Sequence, residues 1–184
     1  MAVDRRSYFF DIALRMNSHH TNPPITIRVA KQNDVVAMGK FGTLLMSLHH
    51  GWDPERFIAS GTGTPDAYTR WLESQLPNPD VVLLVAEFEG TVVGYTYAGL
   101  EGHDYMALRG PAGVLYDIFV DPGRRREGIG RRLLEATVDE LARLGAVQIV
   151  LSTAYRNEAA QHMFTAAEFR PTMIEMTRTI KSDE

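Results

Sequence analysis

The chain has 184 residues, a net charge of −4, 45% hydrophobic and 23% charged residues, and no cysteine. That size and composition predict one domain with a substantial core rather than a disordered chain, and they exclude disulfides, thiolate zinc sites and a cysteine nucleophile. No apolar run approaches the roughly 20 residues of a membrane span, and Asp11 and Arg15 interrupt the stretch Tyr8–Leu14 that a secretory leader would need, so a soluble, cytoplasmic protein without a membrane partner is expected.

Residues 1–24 read as an N-terminal extension and 25–184 as the folded domain. In the extension Tyr8, Phe9 and Phe10 precede a polar stretch ending in Asn22-Pro23-Pro24, a turn or linker signal. Ala2 after Met1 excludes myristoylation. Ile25–Val29 alternates as a first strand, and Asn33 or Asp34 could cap a helix carrying Val36, Phe41, Leu44, Leu45 and Leu48 at helical spacing. Gly51-Trp52-Asp53-Pro54 and Gly61-Thr62-Gly63-Thr64-Pro65 break the chain. A second amphipathic helix fits Asp66–Leu76, and Pro77 and Pro79 stop it.

Val81–Glu87 and Thr91–Tyr97 are β-branched runs joined by Phe88-Glu89-Gly90, a hairpin signature. After the polar connection Gly99–Gly113, Val114–Val120 reads as the next strand. A strong helix follows, with Leu133, Leu134, Thr137, Val138, Leu141 and Leu144 on one face and Gly145 placed to terminate it. Val147–Ser152 is a buried-type strand, Asn157–Ala167 a helix and Met173–Ile180 a final alternating strand. Strands joined by hairpins and then by a helical crossover predict an α/β (α+β) sheet protein.

The charge is uneven. Residues 124–132 hold five arginines against Glu127, a local balance of +4, so the rest of the chain carries −8. Charge this localised suggests a small anionic ligand rather than a nucleic-acid face, or else a solvated arginine-rich loop. The glycines favour the ligand. In Val120-Asp121-Pro122-Gly123-Arg124-Arg125-Arg126-Glu127-Gly128-Ile129-Gly130-Arg131-Arg132-Leu133 a strand enters a glycine-bearing turn that opens into a helix. Unpaired N–H groups and the dipole make such an end a phosphate site. Gly128 and Gly130 would let the backbone approach the anion closely. A Walker loop is excluded because Ile129 and Gly130 occupy its Lys-Ser/Thr places. A Rossmann fingerprint is excluded because Leu133 fills its third small position.

The pattern that remains is (Q/R)xxGx(G/A), matched by Arg125-Arg126-Glu127-Gly128-Ile129-Gly130. Here the sequence resembles the GNAT superfamily of acyl-CoA-dependent N-acetyltransferases. Asp117-Ile118-Phe119-Val120-Asp121-Pro122 resembles that family's central strand and its exit. Asn157-Glu158-Ala159-Ala160-Gln161-His162-Met163-Phe164-Thr165-Ala166-Ala167-Glu168-Phe169 resembles its NxxAxxLYxxxGF segment. The resemblance implies a mixed, mostly antiparallel central sheet flanked by helices and splayed at its central strands. It implies acetyl-CoA as co-substrate, with the pyrophosphate on the loop and pantetheine along the strand. The residues carried over for it are Phe119, Val120, Arg125, Arg126, Gly128, Ile129, Gly130, Arg131, Asn157 and Phe164. Phe164 stands where the family often has a tyrosine acid, and phenylalanine has no proton to give.

The activity implied is direct acetyl transfer to the primary amine of a small molecule or peptide, without metal or nucleic acid; homodimers are common in the family. Asp117 interrupts an apolar strand beside the expected thioester, where a carboxylate is costly without a purpose or partner, and is the first base candidate. Tyr155 is a candidate acid in place of Phe164, and Glu87 and Glu101 are weaker alternatives as base. Acceptor contacts are expected from His49, His50, Trp52, Asp53, Glu55, Glu101, His103, Asp104 and Tyr105. The pairs His19-His20 and His49-His50 are not a metal signature, because adjacent helical residues do not face one another. The alternative is a non-catalytic acyl-CoA-binding regulatory module.

Overall fold

The computed structural model describes residues 25–180; the extension 1–24 and the pair His19-His20 lie outside the described residues. The elements run β1 (Thr26–Val29), α1 (Val35–Trp52), α2 (Thr64–Gln75), β2 (Val81–Phe88), β3 (Thr91–Glu101), β4 (Ala112–Val120), α3 (Ile129–Arg143), β5 (Ile149–Leu151) and α4 (Glu158–Ala166). One sheet holds the strands in the order β1-β2-β3-β4-β5. All pairs are antiparallel except β4–β5, which the α3 crossover makes parallel.

The apolar run in β2 is continuous because both faces of the sheet are covered. Val82, Leu84 and Ala86 pack with Ile129, Leu133, Leu134 and Leu141 of α3 and Phe164 of α4. Leu83 and Val85 pack on the opposite face with Val35 and Met38 of α1 and Leu72 of α2. The α3 face carries one buried polar contact, between the hydroxyls of Thr96 and Thr137 (2.8 Å). Thr137 donates to the Leu133 carbonyl (2.8 Å), so Thr96 is the donor of the pair and neither group is orphaned.

Local signals explain the element ends. Glu89 and Gly90 both have positive φ (49° and 77°), the conformation of a tight hairpin turn. Gly145 (φ 99°) ends α3, and the Ala146 N–H returns to the Leu141 carbonyl at 3.0 Å. Helix α2 begins earlier than its apolar pattern because Pro65 fits the first turn.

Two bulges re-phase the sheet. Ala86 pairs with Gly94 but Glu87 with Val92, which makes Val93 an extra residue in β3. Tyr97 pairs with Asp117 but Ala98 with Leu115, which makes Tyr116 an extra residue in β4. Each bulge turns the residues beyond it to the opposite face, so Tyr95 and Asp117 both come to point toward α1 and α2.

The expectation of a strand at Met173–Ile180 is not met. The segment forms no strand, and Met173, Ile174, Met176 and Ile180 are exposed. It is tied instead to the connection after α1, by an ion pair between Glu175 and Arg56 and by the Thr179 hydroxyl donating to Glu55 (2.9 Å). Alternation records which side chains share a face, but a strand also needs a partner edge, and sequence alternation does not supply one.

Arg28 of β1 clamps the start of the fold. It donates to both Asp34 oxygens (2.6 and 2.9 Å) and through Nε to Glu87 of β2 (2.8 Å), while the Lys31 N–H also donates to Asp34 (2.7 Å). The guanidinium holds the Asp34 carboxyl below its ordinary range, with the Lys31 N–H adding to the effect. This stabilisation is complete above the unfolded-state value of roughly 3.9 and is lost as pH falls through the lower folded value. Asp34→Asn is therefore expected to lower stability by about 2 kcal/mol at neutral pH. Urea unfolding should show that deficit shrinking as the solution is acidified below the carboxylate range.

Candidate active site

Strand β4 is paired with β5 only at Gly113, Val114 and Leu115. Beyond Leu115 the two chains part, leaving a gap between residues 116–120 and the connection after β5. The Asp121 N–H donates to the Val93 carbonyl (2.9 Å). By the alternation of an antiparallel ladder, Ile118 and Val120 therefore turn their peptide groups away from β3 and into the gap. Phe119 has the opposite phase. Its ring lies in the core on the α1 side, 5.6 Å from the Phe41 ring, with the Arg125 guanidinium 5.5 Å away.

At the end of β4 the chain turns through Pro122–Arg124 into the loop before α3. Arg126 and Gly128 have positive φ (67° and 77°), and Gly128 caps α3 with no side-chain hydrogen bond. The first N–H groups of Ile129, Gly130 and Arg131 are thus left for a ligand, in a turn of the kind that cradles anions. Gly130 also has a packing task. A Cβ there would stand 3.1 Å from Met163 Sδ, so its smallness lets α3 and α4 approach.

The five arginines divide by contact. Arg124 lies over the Phe88 ring at 3.7 Å and pairs with Glu127 (3.1 Å). Arg131 pairs with Glu135 (2.7 Å), and Arg132 donates to the Ile25 carbonyl (2.7 Å). Arg125 and Arg126 have no ion pair among the described residues and are the two free to meet an anion. Nearby, the Asn157 side chain caps α4 through the Ala160 N–H (3.3 Å), and Phe164 is buried against Phe169.

On the other face of β4, Asp117 sits in a cleft of about 200 Å³ lined by Gly42, Leu45, Met46 and His49 of α1, Tyr68 of α2, Phe57, Ile58 and Tyr116. Tyr116 and Asp117 are sequence neighbours that line one cleft because Tyr116 is the bulged residue. Both Tyr68 and Tyr95 (2.8 Å) donate their hydroxyls to Asp117 Oδ2. Oδ1 accepts no hydrogen bond from the described residues. Burial raises the Asp117 carboxyl above its ordinary range, against the two tyrosine hydrogen bonds and the nearby His49. Burial, followed by the Asp117 charge, raises both Tyr68 and Tyr95, so both keep their protons.

The other expected residues are placed as follows. Glu87 is held by Arg28, and Glu101 accepts from Arg109 and from the Tyr116 hydroxyl (2.6 Å). Neither lines the Asp117 cleft. His49 and His50 bond through Nδ1 to the carbonyls of Leu45 (2.8 Å) and Phe57 (2.7 Å). Tyr155, 95% exposed, stands on the connection after β5 that forms the far arm of the gap. Among the described residues no three His, Asp or Glu side chains gather as metal ligands.

Tyr68 and Tyr95 are not singled out by the sequence, because a tyrosine on an amphipathic helix or in a β-branched strand reads first as core. A signal for Tyr68 was present: Gly39 and Gly42 lie three apart on one face of α1, the spacing of a close helix approach. A Cβ on Gly42 would come within 2.2 Å of the Tyr68 ring. Gly42→Ala is expected to displace that ring from Asp117 and destabilise the protein by about 2 kcal/mol, readable in chemical unfolding against wild type.

Residues 45–169 match the acetyltransferase (GNAT) family. The uncharacterized N-acetyltransferase YhfO of Bacillus subtilis is 31% identical over 96 residues, which are 51% of this chain and 62% of that protein. The chain thus matches under two thirds of that relative's length. Among solved structures, a variant of the BH1408 protein from Bacillus halodurans superposes with a TM-score of 0.73 at 19% identity, over 85% of this chain and 99% of that one. The aminoglycoside N-acetyltransferase AAC(6')-Iy, in complex with CoA, superposes with a TM-score of 0.65 at 19% identity, over 86% and 96%. With the splayed strand, the bare helix start and the matched family pattern together, the chain belongs to the acetyltransferase (GNAT) family.

Proposed function

We propose that this acetyltransferase moves the acetyl group of acetyl-CoA directly to a primary amine. The observation that carries the reading is the position of β4: one edge is open beside a bare helix N-terminus, and one face holds a half-buried carboxylate in a cleft. Bound acetyl-CoA would supply an activated acetyl thioester. The chain's residues fit it. Ile129, Gly130 and Arg131 offer N–H groups to the pyrophosphate, with Arg125 and Arg126 adding charge. Ile118 and Val120 offer peptide groups to the pantetheine. Asn157, Phe164 and Phe119 shape the surrounding wall rather than meet the anion.

Asp117 is the proposed base. Its Oδ2 is fixed by two tyrosines and its Oδ1 carries no hydrogen bond from the described residues, so the carboxylate attracts an ammonium and takes one of its protons, through water, for release to solvent. The freed amine lone pair forms the C–N bond as the C–S bond breaks, and the electron pair leaves on sulfur. A Tyr155 proton meets that sulfur, and the nitrogen's second proton restores the tyrosine by way of water. A cysteine acyl-enzyme is impossible in this chain, which supports direct transfer, and much of the acceleration would come from positioning.

Two variants test this reading. Gly128→Asp forces a side chain into positive φ and puts a negative charge in the cradle. CoA affinity by calorimetry should fall at least about tenfold, with the circular dichroism spectrum unchanged; unaltered affinity would remove the pyrophosphate from this loop.

Asp117→Asn keeps an oxygen for Tyr68 and Tyr95 but has no proton affinity. Acetylation should drop by a factor of about 10² or more. The sign for stability is the reverse of that for activity. A folded value raised above the unfolded one makes ionised Asp117 a cost that grows as pH rises between them. The variant should therefore melt at or above the wild-type temperature at neutral pH, with the gain vanishing below roughly pH 3.9. A large loss of stability would make Asp117 structural instead.

A further inference from the structure

The cleft beside Asp117 has an unusual inventory of polar groups. Every side-chain donor that lines it is already engaged. The Tyr68 hydroxyl donates to Asp117, and the Tyr116 hydroxyl donates to Glu101. The His49 Nδ1 faces the Leu45 carbonyl at 2.8 Å. A carbonyl only accepts, so in the neutral ring Nδ1 carries the hydrogen and Nε2 carries the lone pair. The ring is held edge-on against Trp52 and Phe57, with centroids 5.1 and 5.0 Å away. The side-chain polar sites left over are His49 Nε2 and Asp117 Oδ1, and both accept. The remaining wall, Leu45, Met46, Phe57 and Ile58, is apolar.

We infer that the acceptor recognised here is an alkyl- or aralkylamine: a primary ammonium on an apolar body, with no carboxylate or hydroxyl beside it. The inference rests on the acetyl-transfer reading above and narrows it to a substrate class. An ammonium has three donors and no acceptor, so two of its N–H groups satisfy both open sites and the third is left to water at the open side of the cleft. An α-amino acid would bring a carboxylate into a cleft with a carboxylate on its floor and no free side-chain donor, so the two like charges would repel with nothing to offset them. An aminosugar would bring hydroxyls that need donors as well as acceptors. At about 200 Å³ the cleft has room for the ammonium and the start of an apolar body.

The experiment compares phenethylamine with L-phenylalanine, which share a body and differ by a carboxylate, and with kanamycin, which carries hydroxyls and several amines, all at one pH. Thiol release from acetyl-CoA gives turnover. NMR of the His49 imidazole gives binding in the absence of CoA. Phenethylamine should exceed L-phenylalanine at least about 100-fold in kcat/KM and shift the His49 resonances where L-phenylalanine does not. Met46→Arg supplies the missing donor and should narrow that ratio by raising turnover of L-phenylalanine. Equal use of phenethylamine and L-phenylalanine, or preference for kanamycin, overturns the inference and leaves acetyl transfer standing. If no amine is turned over, the acetyl-transfer reading fails, and recognition is judged by NMR alone. A selective shift by phenethylamine then upholds the acceptor-only cleft; no shift, or equal shifts, overturns it.

Discussion

Strand β4 is hydrogen-bonded on both sides for three residues only, and the organisation of the site follows from where that pairing ends. A central strand that loses a neighbour leaves peptide groups that must find other partners. The bulge at Tyr116 falls at the same point. It increases local twist, helping β4 leave β5, and it reverses which side chains face α1 and α2. One extra residue thus opens the gap on the strand's edge and delivers Asp117 to its face.

The two sides of β4 are supported by different chemistry. Toward α3 and α4 the support is apolar packing, with one satisfied threonine pair. Toward α1 and α2 it is an aromatic and polar lattice in which Phe41, Tyr95 and Phe119 pack while Tyr68 and Tyr95 hold Asp117. The carboxylate is therefore half-buried at an energetic cost that packing alone does not remove, and desolvated titratable groups of this kind tend to mark function. The start of α3 needs less support. Its open groups are main-chain N–H groups left over by the start of a helix, and the arginines around it mostly serve the fold.

The element order and the glycine turn that opens into α3 were legible because both are local. Turn chemistry at Glu89-Gly90, the helix stop at Gly145 and the strand–glycine–helix passage at 120–133 are each specified within a few residues. Asp117 stood out because a charge in an apolar strand is rare. Its partners did not, since Tyr68 is 49 residues away and Tyr95 22 residues away in sequence, and a tyrosine on an amphipathic face reads first as core. The bulges were invisible for a related reason: register belongs to a pair of strands and cannot be read from either alone. The same limit applies to 173–180, where alternation was read as a strand but no edge receives it. Total charge was a poor guide to the cradle, because three of its five arginines are occupied by Phe88 and Glu127, by Glu135 and by the Ile25 carbonyl.

Close contact between α1 and α2 has an evolutionary reading. A Cβ on Gly39 would meet Thr69 Oγ1 at 2.1 Å and the Pro65 carbonyl at 2.9 Å, and Gly42 is equally confined. The two helices therefore form one wall that cannot be re-spaced by single substitutions. Descendants selected for a bulkier ligand would gain room by trimming Met46, Phe57 or Ile58, or by rebuilding the connection between the helices. Divergence in this lineage should therefore concentrate in residues 53–63 and spare the glycine face, which acts as a ratchet: a side chain lost there is hard to regain.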